Sequence, residues 1–161
     1  MKTKYEMSSV TNISIKKARA EGTGVFEMAR IPAYRSTLPF EIWTYSEGVS
    51  RNVEYNIPII KVTFNYEEEA EVSIIDPIEV IAGTVPKDSE EDMKKVFNFV
   101  KTHQKAFLLH YNMVWDDCAI LTYVRCVGKN KLSVKKTLAY LLEHQIIDDI
   151  PEEYQELFKE D

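Results

Sequence analysis

The stretch "PIIKVTFNYEEEAEVSII", Pro58–Ile75, decides the fold class. Two runs rich in β-branched residues, Pro58 to Phe64 and Ala70 to Ile75, flank the acidic turn "NYEEE", and that order predicts an antiparallel hairpin. Asp76-Pro77 closes the second run, because proline cannot donate to a sheet ladder. Upstream, "FEIWTYS" (40–46) sets Phe40, Ile42 and Thr44 on one face and Glu41, Trp43 and Tyr45 on the other, a period of two that predicts another strand. "VFEMARI" (25–31), entered through "EGTG" and stopped by Pro32, reads as a strand before it. "TNISIKK" offers an edge strand or an ordered arm, and "IEVIAGTVP" a short strand or turn after the hairpin.

The pattern then changes period. Ser89 followed by Glu90, Glu91 and Asp92 has the form of a helix start, with a capping hydroxyl and acids where the helix dipole favours negative charge. Met93, Val96, Val100, His103, Phe107, Tyr111 and Val114 recur at spacings of three or four, which predicts one long helix from Ser89 to Val114 packed across a sheet face. "CAILTYVRCV" reads two ways, leaning towards a helix capped by Asp116 or Asp117 against a strand favoured by Thr122, Val124 and Val127. "GKNK" breaks the chain before the amphipathic "LSVKKTLAYLLEHQII", which places Val134, Leu138, Leu141 and Leu142 on one side, and Pro151 opens a short terminal helix. The reading is an α+β fold: a small, mainly antiparallel sheet of four or five strands, one long helix on a face and a C-terminal helical extension. A single domain over residues 1–161 is expected, with 13–112 supplying the sheet and long helix and 113–161 the extension.

A hydrophobic share of 45% and a charged share of 29% belong to a globular chain rather than a disordered one. A net charge of -6 disfavours nucleic acid, since binding a phosphate backbone would need a local basic patch working against the overall field. "KTK", "IKK" and "KNKLSVKK" are the segments that could supply one. "DDIPEEYQELFKED" at the end is dense in carboxylates against one Lys, a solvated tail or an acidic helix for a basic partner. "MKTKYEMSSV" has no apolar core of signal-peptide length and no window approaches a membrane span, so a cytoplasmic protein is expected. Cys118 and Cys126 are eight residues apart, about 12 Å on a helix, and read as two free, mostly buried thiols.

Catalysis needs groups that can meet. His103 and His110 lie seven apart, about 10.5 Å along one helix, too far to share a metal, and both read as packed histidines with hydrogen-bond partners. No nucleophile motif, no phosphate-binding glycine loop and no metal spacing is present, so no catalytic residue, metal or cofactor is implied. The segment between Tyr45 and Pro58 holds twelve residues, a length that is uncommon for an unstructured connection and often functional. Glu47, Arg51 and Glu54 offer ion pairs and Asn52 and Asn56 offer turns. With Trp43, Tyr45 and Tyr55 these eight residues form the candidate binding surface, because aromatics and Arg dominate binding hot spots.

"IWTYSEG", "NIPIIKV", "IEVIAGTVP" and "THQKAFLLHYN" follow one another between about Ile31 and Asn112. In that order they resemble a family of small bacterial and phage proteins known only as a domain of unknown function and often encoded near toxin-antitoxin genes. The chain departs from the family's pattern where Tyr55, Ile59 and Lys61 stand in place of its histidines, so the resemblance implies the fold without a histidine chemistry. It implies an accessory or inhibitory protein of a phage, mobile element or toxin-antitoxin locus, acting by non-enzymatic binding of another protein. The alternatives are a small-ligand or nucleotide-binding protein or enzyme using residues 47–56, and a nucleic-acid-binding protein.

Overall fold

The computed structural model describes the backbone of residues 28–45, 51, 52 and 57–148. In chain order the elements are strand β1 (Met28–Ile31), the one-turn helix α1 (Ala33–Ser36), and strands β2 (Glu41–Tyr45), β3 (Arg51–Asn52), β4 (Ile57–Thr63), β5 (Glu69–Ser73) and β6 (Val80–Gly83). Helices α2 (Glu90–Thr102), α3 (Gln104–Tyr111), α4 (Asp117–Val127) and α5 (Val134–Glu143) follow. This is the α+β arrangement that the two periods predict. Every strand pair is antiparallel, in the spatial order β1-β2-β4-β5-β6, with β3 added beside the start of β4.

The β4–β5 hairpin sits in the middle of the sheet, and its register is fixed by the turn. Asn65 Oδ1 accepts from the backbone N–H groups of Glu67 and Glu68 at 2.9 Å each, while Phe64 N donates to the Glu68 carbonyl at 3.0 Å. An asparagine that ties its own turn in this way leaves one pairing open to the strands, and a slip by one residue would turn Val62 and Val72 outward. At the turn end of β5, Gly83 of β6 takes φ +87, and a β-carbon there would drive into the Glu69 carbonyl.

Ala29, Ile31, Ile42, Thr44, Ile60, Val62, Ala70 and Val72 are buried on the inward face of the sheet. Against them pack Met93, Val96 and Val100 of α2, Phe107 and Leu109 of α3, Ile120 and Val124 of α4, and Leu141 of α5, in one contiguous core. Each fully buried Ile or Leu stabilises the fold by about 1.5–3 kcal/mol relative to exposure. The helices after Asn112 therefore contribute side chains to the same core as the sheet. Helix α4 lies against β1 and α1, α3 lies against β2, and α5 packs on α4. No helix among the described residues is long and apolar enough to cross a membrane.

Four expectations change on meeting the structure. The span predicted as one helix is two, meeting at His103 (φ -111, ψ 23), because α3 is buried from Ala106 to Tyr111 and must lie between sheet and α4 instead of continuing the half-exposed course of α2. Ser89 makes no capping hydrogen bond: it ends a 3-10 turn, Lys87–Ser89, and only the three acids act at that helix start. Cys118, in the first turn of α4, is exposed and only Cys126 is buried, since eight residues leave the two thiols about 80° apart around the helix and Cys118 falls at the edge of its buried stripe. The twelve-residue segment is not one open connection, for Arg51 and Asn52 pair with Pro58 and Ile57 as β3. Asp116 is the α4 cap, its Oδ1 accepting from Ala119 N at 2.8 Å. The predicted segment "TNISIKK", the first residues of "VFEMARI" and the terminal helix after Pro151 lie outside the described residues.

Candidate functional site

Of the eight residues singled out in the sequence, the structure brings Trp43 and Tyr45 onto the outward face of β2. Cross-strand register lines up Arg30, Trp43, Lys61 and Glu71 in one row across four strands. Arg30 Nε and Nη2 both reach Glu41 Oε2 at 2.7 Å, and the Trp43 indole N–H donates to Glu41 Oε1 at 3.0 Å. One carboxylate thus holds the guanidinium on one side and the indole on the other. Lys61 Nζ lies 3.5 Å from Glu69 Oε1 and 5.9 Å from the centre of the Tyr45 ring.

Trp43 is half-buried, but Tyr45 is buried, so the tyrosine supports the surface and does not present it. Burial pushes the Tyr45 hydroxyl up from its ordinary pKa; the Lys61 ammonium pulls it down, and the Glu69 and Glu71 carboxylates push it up. Arg51 and Asn52 are placed by their backbone pairing with β4. Glu47, Glu54, Tyr55 and Asn56 lie outside the described residues, as does the acidic segment after Asp148.

A second arrangement, buried under β2, joins residues that the sequence reading kept apart. Thr44 Oγ1 lies 3.0 Å from His110 Nδ1, and His110 Nε2 lies 2.9 Å from Asp117 Oδ1. A carboxylate can only accept, so Nε2 carries the proton of the neutral imidazole and Nδ1 accepts from the Thr44 hydroxyl. Burial lowers the His110 pKa, while the hydrogen bond and charge of Asp117 and the charge of Asp116 act upward. His103 makes a parallel link, its Nδ1 2.8 Å from the Tyr123 hydroxyl, with the Phe99 ring tilted against it at 4.6 Å between centroids.

Hydroxyl, imidazole and carboxylate in that sequence have the order of a nucleophile relay. Here the hydroxyl and the ring are both 0% exposed, so a substrate could meet Thr44 only if β2 and α3 came apart. The relay is instead a clamp. It ties the sheet to α3 and α3 to the first turn of α4, and His103 fastens the same helix one face further along. Among the described residues no group of three or more His, Cys, Asp or Glu side chains is placed to hold a metal. The packed-histidine reading is what the geometry shows. Its partners could not be read locally, because Thr44 and His110 are 66 positions apart. Comparisons of the chain with protein-family models, curated proteins and solved structures find no match.

Proposed function

We propose that the protein acts by binding another protein, with the outward sheet face around Trp43 as the contact surface. The observation that supports this is the row Arg30, Trp43 and Lys61, flanked by Glu41, Glu69 and Glu71, on the face opposite the helices. A half-buried Trp whose indole is already oriented by Glu41 loses little side-chain freedom on contact, and Trp and Arg are the side chains that carry most interface energy. The alternating charges around it discriminate between partners more than they add affinity. An accessory or inhibitory role beside a phage, mobile-element or toxin-antitoxin locus is what the sequence resemblance implies, and the products of such a locus are the first partners to try.

The test compares wild type with Trp43→Ala and Lys61→Glu as baits in the producing cell, followed by titration calorimetry on the partner recovered. A hot-spot loss of about 2 kcal/mol predicts binding roughly 30-fold weaker for Trp43→Ala. A partner bound with unchanged affinity by both variants would refute the assignment.

A further inference from the structure

A second surface has the opposite electrostatic character. From Cys118 to Leu142 the sequence holds five basic residues, Arg125, Lys129, Lys131, Lys135 and Lys136, and no Asp or Glu, in a chain of net charge -6. The fold adds to this run. Lys129 N donates to the Arg35 carbonyl at 3.0 Å, and Gly128 sits so close to α1 that a β-carbon would lie 2.6 Å from the Arg35 and Ser36 carbonyl oxygens. Arg35 and the exposed Tyr34 are thereby brought beside the α4–α5 connection.

The lysines are held on ordered backbone. Leu132 N donates to the Cys126 carbonyl at 2.8 Å, Lys131 takes the left-handed conformation (φ 54), and Ser133 Oγ caps α5 by accepting from Lys136 N at 3.1 Å. Five cations elsewhere are neutralised, Arg30, Lys61, Lys94, Lys95 and Lys101 each having a carboxylate within 3.5 Å, while Lys87 and Lys105 form no ion pair among the described residues. Among the described residues, Arg35, Lys129, Lys131, Lys135 and Lys136 form no ion pair. Tyr34 is 65% exposed, with the Arg35 guanidinium carbon 6.0 Å from the centre of its ring.

We propose that this surface, formed by α1, the α4–α5 connection and the first turn of α5, binds single-stranded nucleic acid. The four lysines and Arg35 would track phosphates, and Tyr34 would offer a face on which a base stacks. Two features favour this ligand over an acidic protein. Clustered cations without partners are matched by a polymer with a charge on every unit, whose binding releases counterions. An open aromatic ring at the rim of such a cluster adds the sequence-tolerant stacking on which single strands are held. The acidic remainder of the molecule confines the strand to this place and repels it from the sheet.

The test is fluorescence anisotropy of a labelled 12-nucleotide oligo-dT and oligo-U, titrated with the full chain at 50 and 200 mM NaCl. With four to five phosphate contacts and a slope of about -0.7 per contact, fourfold more salt weakens binding roughly 50-fold to 130-fold. Joint replacement of Lys129, Lys131, Lys135 and Lys136 by Ala should flatten that dependence and remove most of the affinity. Tyr34→Ala should weaken binding about fivefold or more at both salt concentrations while leaving the slope unchanged. Cooperative thermal unfolding checks each variant, and the pair Lys131→Gln with Lys136→Gln replaces the fourfold variant should that one not fold. No binding at 50 mM salt, unaltered binding by the lysine variants, or no effect of Tyr34→Ala would overturn the proposal. Displacement of the oligonucleotide by polyglutamate at equal charge would overturn it in favour of an acidic protein partner.

Discussion

Acidification should loosen the molecule through His110, and the size of the effect follows from its surroundings. The ring is fully buried between Thr44 and Asp117, and burial holds its pKa below the usual histidine range despite the opposing pull of the carboxylates. Unfolded, the same ring titrates near 6.5. Below that pH the unfolded chain binds a proton that the folded chain refuses, so the stabilisation present above about pH 6.5 is lost as pH falls towards the folded value. If the folded ring stays neutral throughout, going from pH 7.5 to 5.5 removes about 1.4 kcal/mol. With a urea slope of about 2 kcal/mol/M, the unfolding midpoint moves down by roughly 0.7 M.

The measurement is urea unfolding followed by tryptophan fluorescence for wild type and His110→Gln across that range. His103 and His144 are common to both proteins, so the difference between the two curves isolates His110. The wild-type advantage should be greatest at pH 7.5 and shrink on acidification. An advantage that grows in acid would mean that the ring is protonated when folded and that the relay runs as an ion pair with Asp117, and a constant one that folding leaves its proton binding unchanged; either would refute the reasoning.

Two further substitutions probe the contacts around α4. Gly128→Ala places a β-carbon 2.6 Å from two carbonyl oxygens of α1, backbone atoms that cannot swing aside, and should cost about 1–3 kcal/mol as a lowered thermal midpoint; an unchanged midpoint would show that α1 is not seated there. Thr137 is fully buried on α5 and its Oγ1 has no hydrogen-bond partner, so the isosteric Thr137→Val should raise stability by about 1 kcal/mol, and a loss instead would reveal a bond to that hydroxyl.

What could be read from the sequence was what local physics determines. β2 announced itself because Ile42 and Thr44 face the core while Glu41 and Trp43 face outward, and the β4–β5 hairpin because its turn carries an asparagine that closes on itself. The break at His103 was hidden by a three-and-four spacing that runs on through it. The only sign was the unbroken Ala106, Phe107, Leu108, Leu109, an apolar girth that no half-exposed helix has. The Thr44–His110–Asp117 relay left no local mark at all: a threonine in an inward strand row and a histidine in an apolar run each look like ordinary core positions until the fold brings them to 3.0 Å. The basic surface was half legible, in "KNKLSVKK", while the arrival of Tyr34 and Arg35 beside it depends on the close approach at Gly128.

The distribution of paired and unpaired cations separates the two proposed surfaces by a single variable. Around Trp43 the charges are already neutralised at 2.7 to 3.5 Å, so a partner there gains chiefly from burying the indole and its apolar neighbours, and little from long-range attraction. Apolar burial is insensitive to sodium chloride, whereas exposed charges further apart than about 8 Å are already screened at physiological ionic strength. Among the described residues, Lys129, Lys131, Lys135 and Lys136 have no such partners, and the strand they attract is held mainly by the release of counterions. Raising the salt to 0.5 M should therefore leave the protein partner on wild type nearly undisturbed while stripping the oligonucleotide from it. If both ligands leave together, they share one electrostatic surface, and the division of the molecule into a neutralised sheet face and a bare cationic rim is wrong.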